Sequence, residues 1–388
     1  MIPINYSIKN LTTRRSTTIA TACGLALVVF VFASALMLSN GVEKTLARSA
    51  QGDIAIVLRK GAENELDSFI EGTTVNIALA ATEVARRPDG RPDGVGEVSI
   101  AAVFEKADGK GFTNVQIRGV TSDVMAFRPH LKIIAGRPLQ PNTDEVIIGK
   151  GIRGRYKGTE LGATLDLRKN RPMKVVGVFD DGGTSFESEI WTDVETLRAV
   201  SGRPGLVSSI RVRLASASKF DSFKASLVQT PGLSLGVLRE SDYYDQQSAG
   251  TSLFVRVMGL LIAAFCSIGA MIGAMITMHA SVAHRKREIG TLRALGFSRT
   301  SILLSCLLES LTLALIGGAI GILGALAMSL VEFSFVNLAT GTQLIFPFEP
   351  TPKLLLMSLT FTLGMGLLGG MIPAVRAAWT NPIVAMRD

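Results

Sequence analysis

Thr21-Ala22-Cys23-Gly24-Leu25-Ala26-Leu27-Val28-Val29-Phe30-Val31-Phe32 lies inside a stretch of 27 residues, between Arg15 and Glu43, that carries no charge. About 20 apolar residues in a helix cross a bilayer, because every backbone polar group there must be satisfied within the segment. A cleaved signal peptide is the competing reading, with Arg14 and Arg15 as its basic start and Ala33-Ser34-Ala35 as a cleavage-like site. The stretch exceeds the roughly 7–15 residues of a signal-peptide core, which favours an uncleaved span. Three further blocks follow: about Phe254 to His279, a block from near Ser301 with 22 uncharged residues between Glu309 and Glu332, and 22 more between Lys353 and Arg376.

Outward from these blocks, the composition fits a membrane protein. The 388 residues include 40 Lys+Arg, 32 Asp+Glu and 3 His, a formal charge of +8, with 47% hydrophobic residues and a mean hydropathy of +0.36. That excess excludes a wholly soluble or a disordered chain. From Glu43 to Asp245 there are 28 basic and 27 acidic residues, so the other +7 comes from residues outside this segment. The basicity marks membrane flanks, and no nucleic-acid partner is expected.

Ten basic residues flank one side of the spans: Lys9, Arg14, Arg15, Arg285, Lys286, Arg287, Arg293, Arg299, Arg376 and Arg387. The positive-inside rule places that side in the cytoplasm, with both termini, and places residues 43–252 outside. Gly317-Gly318, Gly321, Gly324, Gly364, Gly366 and Gly369-Gly370 crowd the last two spans, as close helix packing requires.

The outside segment reads as mixed α and β. Strand candidates are Ile54–Leu58, Val98–Phe104, Val115–Arg118, Glu145–Gly149, Thr164–Leu167 and Lys174–Phe179. Ile210-Arg211-Val212-Arg213-Leu214 alternates as a strand with one wet face would, and Phe220, Phe223, Ala225 and Leu227 suit a short helix. Arg86 to Gly94 reads as an exposed loop. Cys23, Cys266 and Cys306 all lie in apolar spans, so no disulfide holds the outside domain.

Catalytic signatures are missing. There is no GxxxxGK[ST] phosphate loop, no HExxH and no GxSxG. Asp180-Asp181 and Glu187/Glu189 could form an acid/base or metal site, but close carboxylates alone specify little, and a solvated loop is the favoured reading. The centres of the spans carry no charge, which argues against an ion relay. Glu309, about two turns into the third block, either pairs with a basic residue of the preceding loop or reaches the membrane interface, and the interfacial reading is the favoured one.

The loop after the second span is the most informative stretch: Met278 to Arg299, MHASVAHRKREIGTLRALGFSR. Val282, Ile289, Leu292 and Leu295 recur at helical spacing opposite a basic face. Two readings stand equally here: a basic helix on anionic lipid head groups, and a docking element for a cytoplasmic partner. Gly290 and Gly296 are expected to break the helix into short pieces.

Arg287-Glu288-Ile289-Gly290, Ala294-Leu295-Gly296 and Leu307-Leu308-Glu309, with the tail Ile372-Pro373-Ala374-Val375-Arg376-Ala377-Ala378 and Asn381-Pro382-Ile383-Val384-Ala385-Met386-Arg387, closely resemble the FtsX-like permease domain of ABC transporters. Met386 stands where that family usually has Leu. The stretch from Glu145 to Trp191, with Glu145-Val146-Ile147-Ile148-Gly149 and Glu187-Ser188-Glu189-Ile190-Trp191, resembles the extracytoplasmic domain of the macrolide-exporter MacB group.

The resemblance implies an integral membrane α-helical fold, four transmembrane helices with a large mixed α/β extracytoplasmic domain between helices 1 and 2. The expected plan is a cytoplasmic amphipathic segment 1–15, spans at 16–42, 253–280, 300–331 and 354–375, a periplasmic domain 43–252, a cytoplasmic coupling loop 281–299, a short periplasmic loop 332–353 and a cytoplasmic tail 376–388. The setting would be a bacterial inner membrane. Partners would be two copies of a cytoplasmic ABC ATPase, a second permease copy, membrane lipid, and a periplasmic adaptor and outer-membrane channel. The MacB protein carries its ATPase on the same chain. This sequence opens on a short amphipathic segment, so the ATPase is expected on a separate polypeptide.

No cofactor is expected on this chain, since ATP and Mg would sit on the ATPase, and no catalytic residue is expected. His284, Arg285, Arg287, Glu288, Ile289, Gly290, Arg293, Leu295 and Gly296 would couple to the ATPase, and Glu309 would be an interhelix or interface acid. The function implied is mechanical transmission of ATP hydrolysis to the periplasmic domain, driving export in a tripartite pump as the first two spans shift against each other. The alternatives are a lipoprotein-releasing permease of the LolC/LolE type and an FtsX-like regulator of a cell-wall hydrolase.

Overall fold

The computed structural model describes residues 15–168 and 171–380. Most of the expected segment 1–15 and the tail motif Asn381 to Arg387 therefore lie outside the described residues. Among the described residues, four helices are long and apolar enough to cross a membrane. The described chain forms two compact units, one built on those helices and one from Gly41–Ser252 with Glu332–Phe346.

In chain order, helix α1 (Arg15–Ser49) leads into β1 (Ile54–Arg59), a short 3-10 turn at Glu65–Asp67, β2 (Ile70–Glu71) and α2 (Thr73–Leu79). Next come β3 (Gly94–Glu105), β4 (Phe112–Val120), α3 (Val124–Phe127), β5 (Lys132–Gly136), β6 (Glu145–Gly149), β7 (Thr164–Arg168), β8 (Arg171–Asp180) and β9 (Ile190–Asp193). The soluble unit continues with α4 (Val194–Ser201), β10 (Leu206–Val207), β11 (Ser209–Arg213), α5 (Phe220–Val228) and β12 (Leu235–Arg239). Then follow α6 (Glu240–His284), α7 (Lys286–Ala294), α8 (Arg299–Met328), the hairpin β13 (Glu332–Val336) and β14 (Gln343–Pro347), and α9 (Pro352–Ala378).

Each strand and helix candidate named from the sequence of the soluble unit coincides with one of these elements. Ten strands form one sheet in the order β12-β1-β11-β3-β4-β9-β6-β8-β5, with β7 paired to β8. The pairs β4–β9 and β6–β8 are parallel, and the other pairs are antiparallel. Two apolar cores flank this sheet. One gathers Val57, Ile210, Val212, Phe223, Leu227 and Val237 beside α5. The other gathers Ile117, Ile148, Val175, Val178, Ile190 and Leu197 beside α4. Strand β3 is long enough to serve both, pairing with β11 through Gly94–Glu97 and with β4 from Val98 onward.

In the helical unit, glycines set the approach of α8 to α1 and α9. A Cβ on Gly321 would lie 2.5 Å from the Ala26 carbonyl oxygen, and one on Gly317 would lie 2.9 Å from that of Ala22. Gly318 faces Thr362 in the same way, and Gly366 faces Ala314. Such contacts let backbones close in where lipid gives no hydrophobic driving force. Phe32 stacks on Phe361 at 4.3 Å between α1 and α9.

Two expectations change. Residues 332–353, expected as a short loop, hold the β13–β14 hairpin, and Glu332–Phe346 belong to the soluble unit. The face of β11 expected to be wet is mostly covered: Ser209 and Arg211 are 0% exposed, and Arg213 keeps partial exposure.

Candidate functional site

Side chains alternate along a strand, so Arg211 on β11, Glu97 on β3 and Arg118 on β4 share one sheet face. Their registers, Ser209 opposite Glu97 and Ser99 opposite Arg118, make them diagonal neighbours. The Glu65–Asp67 turn, the Ser185–Ser188 turn and the start of α6 cover that face. Arg118 takes both oxygens of Glu65 at 2.9 Å, Glu97 at 2.7 Å and both oxygens of Glu189 at 2.7 and 2.8 Å. Arg211 bonds Glu65 at 2.7 Å, Glu240 at 3.0 Å and, by a very short contact, Glu97. Arg128 lies 3.9 Å over the Phe186 ring and 3.6 Å from Glu240.

Burial opposes ionisation of Glu65, yet Arg118 and Arg211 outweigh it and hold that carboxyl well below its ordinary range. Burial pushes Glu189 up, against the pull of Arg118. A cavity of about 40 Å³ adjoins the network, lined by Arg118, Glu189, Tyr243, Gln247 and Gln343 among others. That volume is room for a few solvent molecules. This network is structural ionic packing, and the sequence reading missed it. The signal available was charged residues at alternate positions of strands that are otherwise apolar.

The acidic pairs, expected as a solvated loop, are instead mostly buried: Glu189 belongs to the Arg118 network, and Asp181 and Glu187 are 6% and 7% exposed. Glu187 accepts from the backbone N–H groups of Asp181 and Gly183, both at 2.8 Å, while Lys150 bonds Asp180 at 2.6 Å. Hydrogen bonds with Glu187 and Lys150 hold Asp180 down to about 2.

The residues expected to couple to a partner gather at the other end of α6, in the helical unit. Helix α6 stops at His284, and the chain turns at Arg285, whose φ of −102° and ψ of 14° leave the helical region. The short helix α7 follows, and Gly296 at φ +90° ends the segment in the left-handed conformation that glycine adopts without strain. Gly296 therefore punctuates as expected, but Gly290 does not. It is buried inside α7, and the break falls at Arg285 instead.

Ile289 anchors α7 in a core with Met278 of α6, Ile302 and Cys306 of α8, and Ala374 and Ala377 of α9. Glu309 resolves in favour of pairing. Arg285 Nη1 lies 3.1 Å from its carboxylate, and Ser281 Oγ donates to it at 3.3 Å. Arg285 also bonds Glu288 at 3.2 Å, and Arg293 donates to the Phe297 carbonyl at 3.2 Å. His284, Arg287, Glu288, Leu295 and Gly296 are exposed, while Arg285 and Arg293 are half-buried. Leu295, expected on the apolar face with Ile289, is 72% exposed. The nine residues are thus brought together, with Arg285, Ile289 and Gly290 turned to the protein and a mixed charged and apolar face turned away.

Comparison with known proteins gives two family matches. A model described as MacB-like periplasmic core domain covers residues 18–230, just over half of the chain, and one described as FtsX-like permease C-terminal covers 260–382. The chain is similar to the macrolide export ATP-binding/permease protein MacB of Neisseria gonorrhoeae, 26% identical over 66% of this chain and 41% of that protein. It thus spans well under half the length of this curated relative. It is also similar to the uncharacterized ABC transporter permease YvrN of Bacillus subtilis, 28% identical over 75% of each chain. Among solved structures, the periplasmic region of MacB from Actinobacillus actinomycetemcomitans matches 49% of this chain and 90% of that one, at 14% identity and a TM-score of 0.37.

Proposed function

The chain belongs to the family of FtsX-like ABC transporter permeases with a MacB-like periplasmic core domain, and from that premise we propose that it transmits ATP hydrolysis by a cytoplasmic ABC ATPase to its soluble unit. The observation that carries this reading is the seating of α7. Ile289 and the Arg285–Glu309 pair fix the short helix to α6, α8 and α9, while His284, Arg287, Glu288 and Leu295 are exposed on its other side. A displacement of α7 would pass to α6, one uninterrupted helix of 45 residues that begins at the edge of the sheet. Allostery of this kind needs two states whose contacts differ at both ends.

The exposed face sets the apolar Leu295 beside the charged Arg287 and Glu288, a mixed character that supports protein docking. Two permease copies and two ATPases would form the working assembly in a bacterial inner membrane, with α7 on the cytoplasmic side. The centres of the spans carry no charged residue, so the substrate would be engaged by the soluble unit in the periplasm and passed to an adaptor and an outer-membrane channel. The similarity to a macrolide export ATP-binding/permease protein supports efflux over lipoprotein release or regulation of a cell-wall hydrolase.

The direct test reconstitutes the chain with its ATPase and compares wild type with Leu295→Asp and Glu288→Lys. The expected result is loss of the stimulation of ATPase activity by the permease, with unchanged folding and yield. Stimulation equal to wild type in both variants would end the docking role of α7.

A further inference from the structure

Glu240 is the first residue of α6, and it is 0% exposed. One of its oxygens accepts from Arg211 Nε at 3.0 Å, which ties it to β11. The other accepts from the backbone N–H of Gln51 at 3.0 Å, two residues beyond the end of α1. The same end of α1 is tied again where Ser49 Oγ accepts from the Ser185 backbone N–H at 2.8 Å, in the turn that leads to Glu189. One buried carboxylate therefore holds the sheet, the exit of α1 and the entry of α6. The position suits an anion, since helix N-termini carry partial positive charge. Tyr244, one turn further along α6, packs edge-on against Phe186 at 6.2 Å and receives a 3.4 Å contact from Arg211.

We propose that Glu240 is a positioning residue that locks the exit of α1 and the entry of α6 to the sheet, so that these two helix ends move together with it as one block. In its use of nucleotide states this rests on the function proposed above. The lock itself stands on the contacts around Glu240. It narrows the expectation that the first two spans shift against each other: any relative displacement of the two helices must arise away from these ends.

The experiment places spin labels at the exposed positions Ala47 and Gln246 of the full chain in nanodiscs, with and without the ATPase and nucleotide. In the wild type the expected result is one narrow distance distribution that is the same in every nucleotide state. In Glu240→Gln the distribution should broaden about twofold even without nucleotide, while stimulation of the ATPase stays within about twofold of wild type. A purely structural role would instead lower yield and stimulation together and leave the distance unchanged in the folded fraction.

A wild-type distance that changes with nucleotide, or a Glu240→Gln distribution as narrow as wild type, overturns the lock. Failure of the wild type to stimulate any ATPase removes the functional reading, yet the nucleotide-free comparison still decides the lock. Should Glu240→Gln not fold, amide exchange of the wild type decides. The Gln51 N–H should be protected to within about tenfold of the β1 amides, and exchange about 100-fold faster than theirs would refute the proposal.

Discussion

Arg285 Nη1 sits 3.1 Å from the Glu309 carboxylate, joining the turn before α7 to α8 across 24 positions of sequence. Both side chains are largely buried, at 16% and 8% exposure. Removing one partner of such a pair leaves an uncompensated charge, whereas removing both is often nearly neutral. Arg285→Met should therefore destabilise the purified protein by about 3 kcal/mol, and Arg285→Met combined with Glu309→Leu should recover most of that loss. Thermal unfolding of the three proteins is the measurement. A double variant less stable than the single one would contradict the pairing argument.

Arg118 serves Glu65, Glu97 and Glu189 at once, and its fork matches two carboxylates bidentately. Lysine offers a point charge with no such fork. Arg118→Lys should thus cost nearly as much as Arg118→Met, each about 3–5 kcal/mol. Proteolytic susceptibility of the soluble unit in the full-length protein reports it. A lysine variant as resistant as wild type would show that charge alone suffices.

Two glycines of the spans make a matched comparison. At Gly321 a Cβ meets the Ala26 carbonyl oxygen at 2.5 Å, while at Gly364 nothing lies within 4 Å. Gly321→Ala should destabilise by about 1–3 kcal/mol through overpacking. Gly364→Ala should be neutral or stabilising by up to about 1 kcal/mol through helix propensity. Melting temperatures in one detergent give the difference, and equal values would refute the close-approach reading of Gly321.

The network also sets an acid limit. Glu65 is held below its ordinary range in the folded state, so its contribution is present above the unfolded carboxyl value of about 4.3 and is lost as pH falls through the lowered folded value. Glu189 is raised by burial and has the opposite sign, its contribution being lost as pH rises through its folded value. Glu65→Gln should melt lower than wild type at pH 7, yet lose less stability between about pH 5 and pH 3. Parallel pH profiles for the two proteins would show that Glu65 does not carry the acid dependence.

Local features were legible in the sequence. The spans follow from uncharged length, and strands such as Lys174–Phe179 follow from β-branched residues between turn signals. The ionic network was not, because Arg118 reaches partners 21, 53 and 71 positions away, and only sheet register brings them together. The R-x-R alternation on β11 has the same pattern whether the polar face is wet or covered. In the coupling segment the order of residues was readable but the break was not. Glycine inside a helix costs only about 1 kcal/mol, an amount that packing of the adjacent Ile289 can offset, so Gly290 stays helical. Glu309 left two readings open until the turn at Arg285 brought a guanidinium to it.

The hairpin after α8 has a practical bearing on how the soluble part can be studied. Ile345 sits in the core beside α4, and its N–H donates to Ser188 Oγ at 2.9 Å. Gln343 accepts from the Tyr156 hydroxyl at 3.1 Å, and Asn64 donates to the Ala339 carbonyl at 3.0 Å. A recombinant fragment cut at residues 43 and 252 would lack this plug and bare the apolar floor beneath it. Crystallographers and binder-screeners alike would do better to graft 332–346 back through a flexible tether, and adhesion of the shorter fragment to hydrophobic resins would be an artefact of the excision.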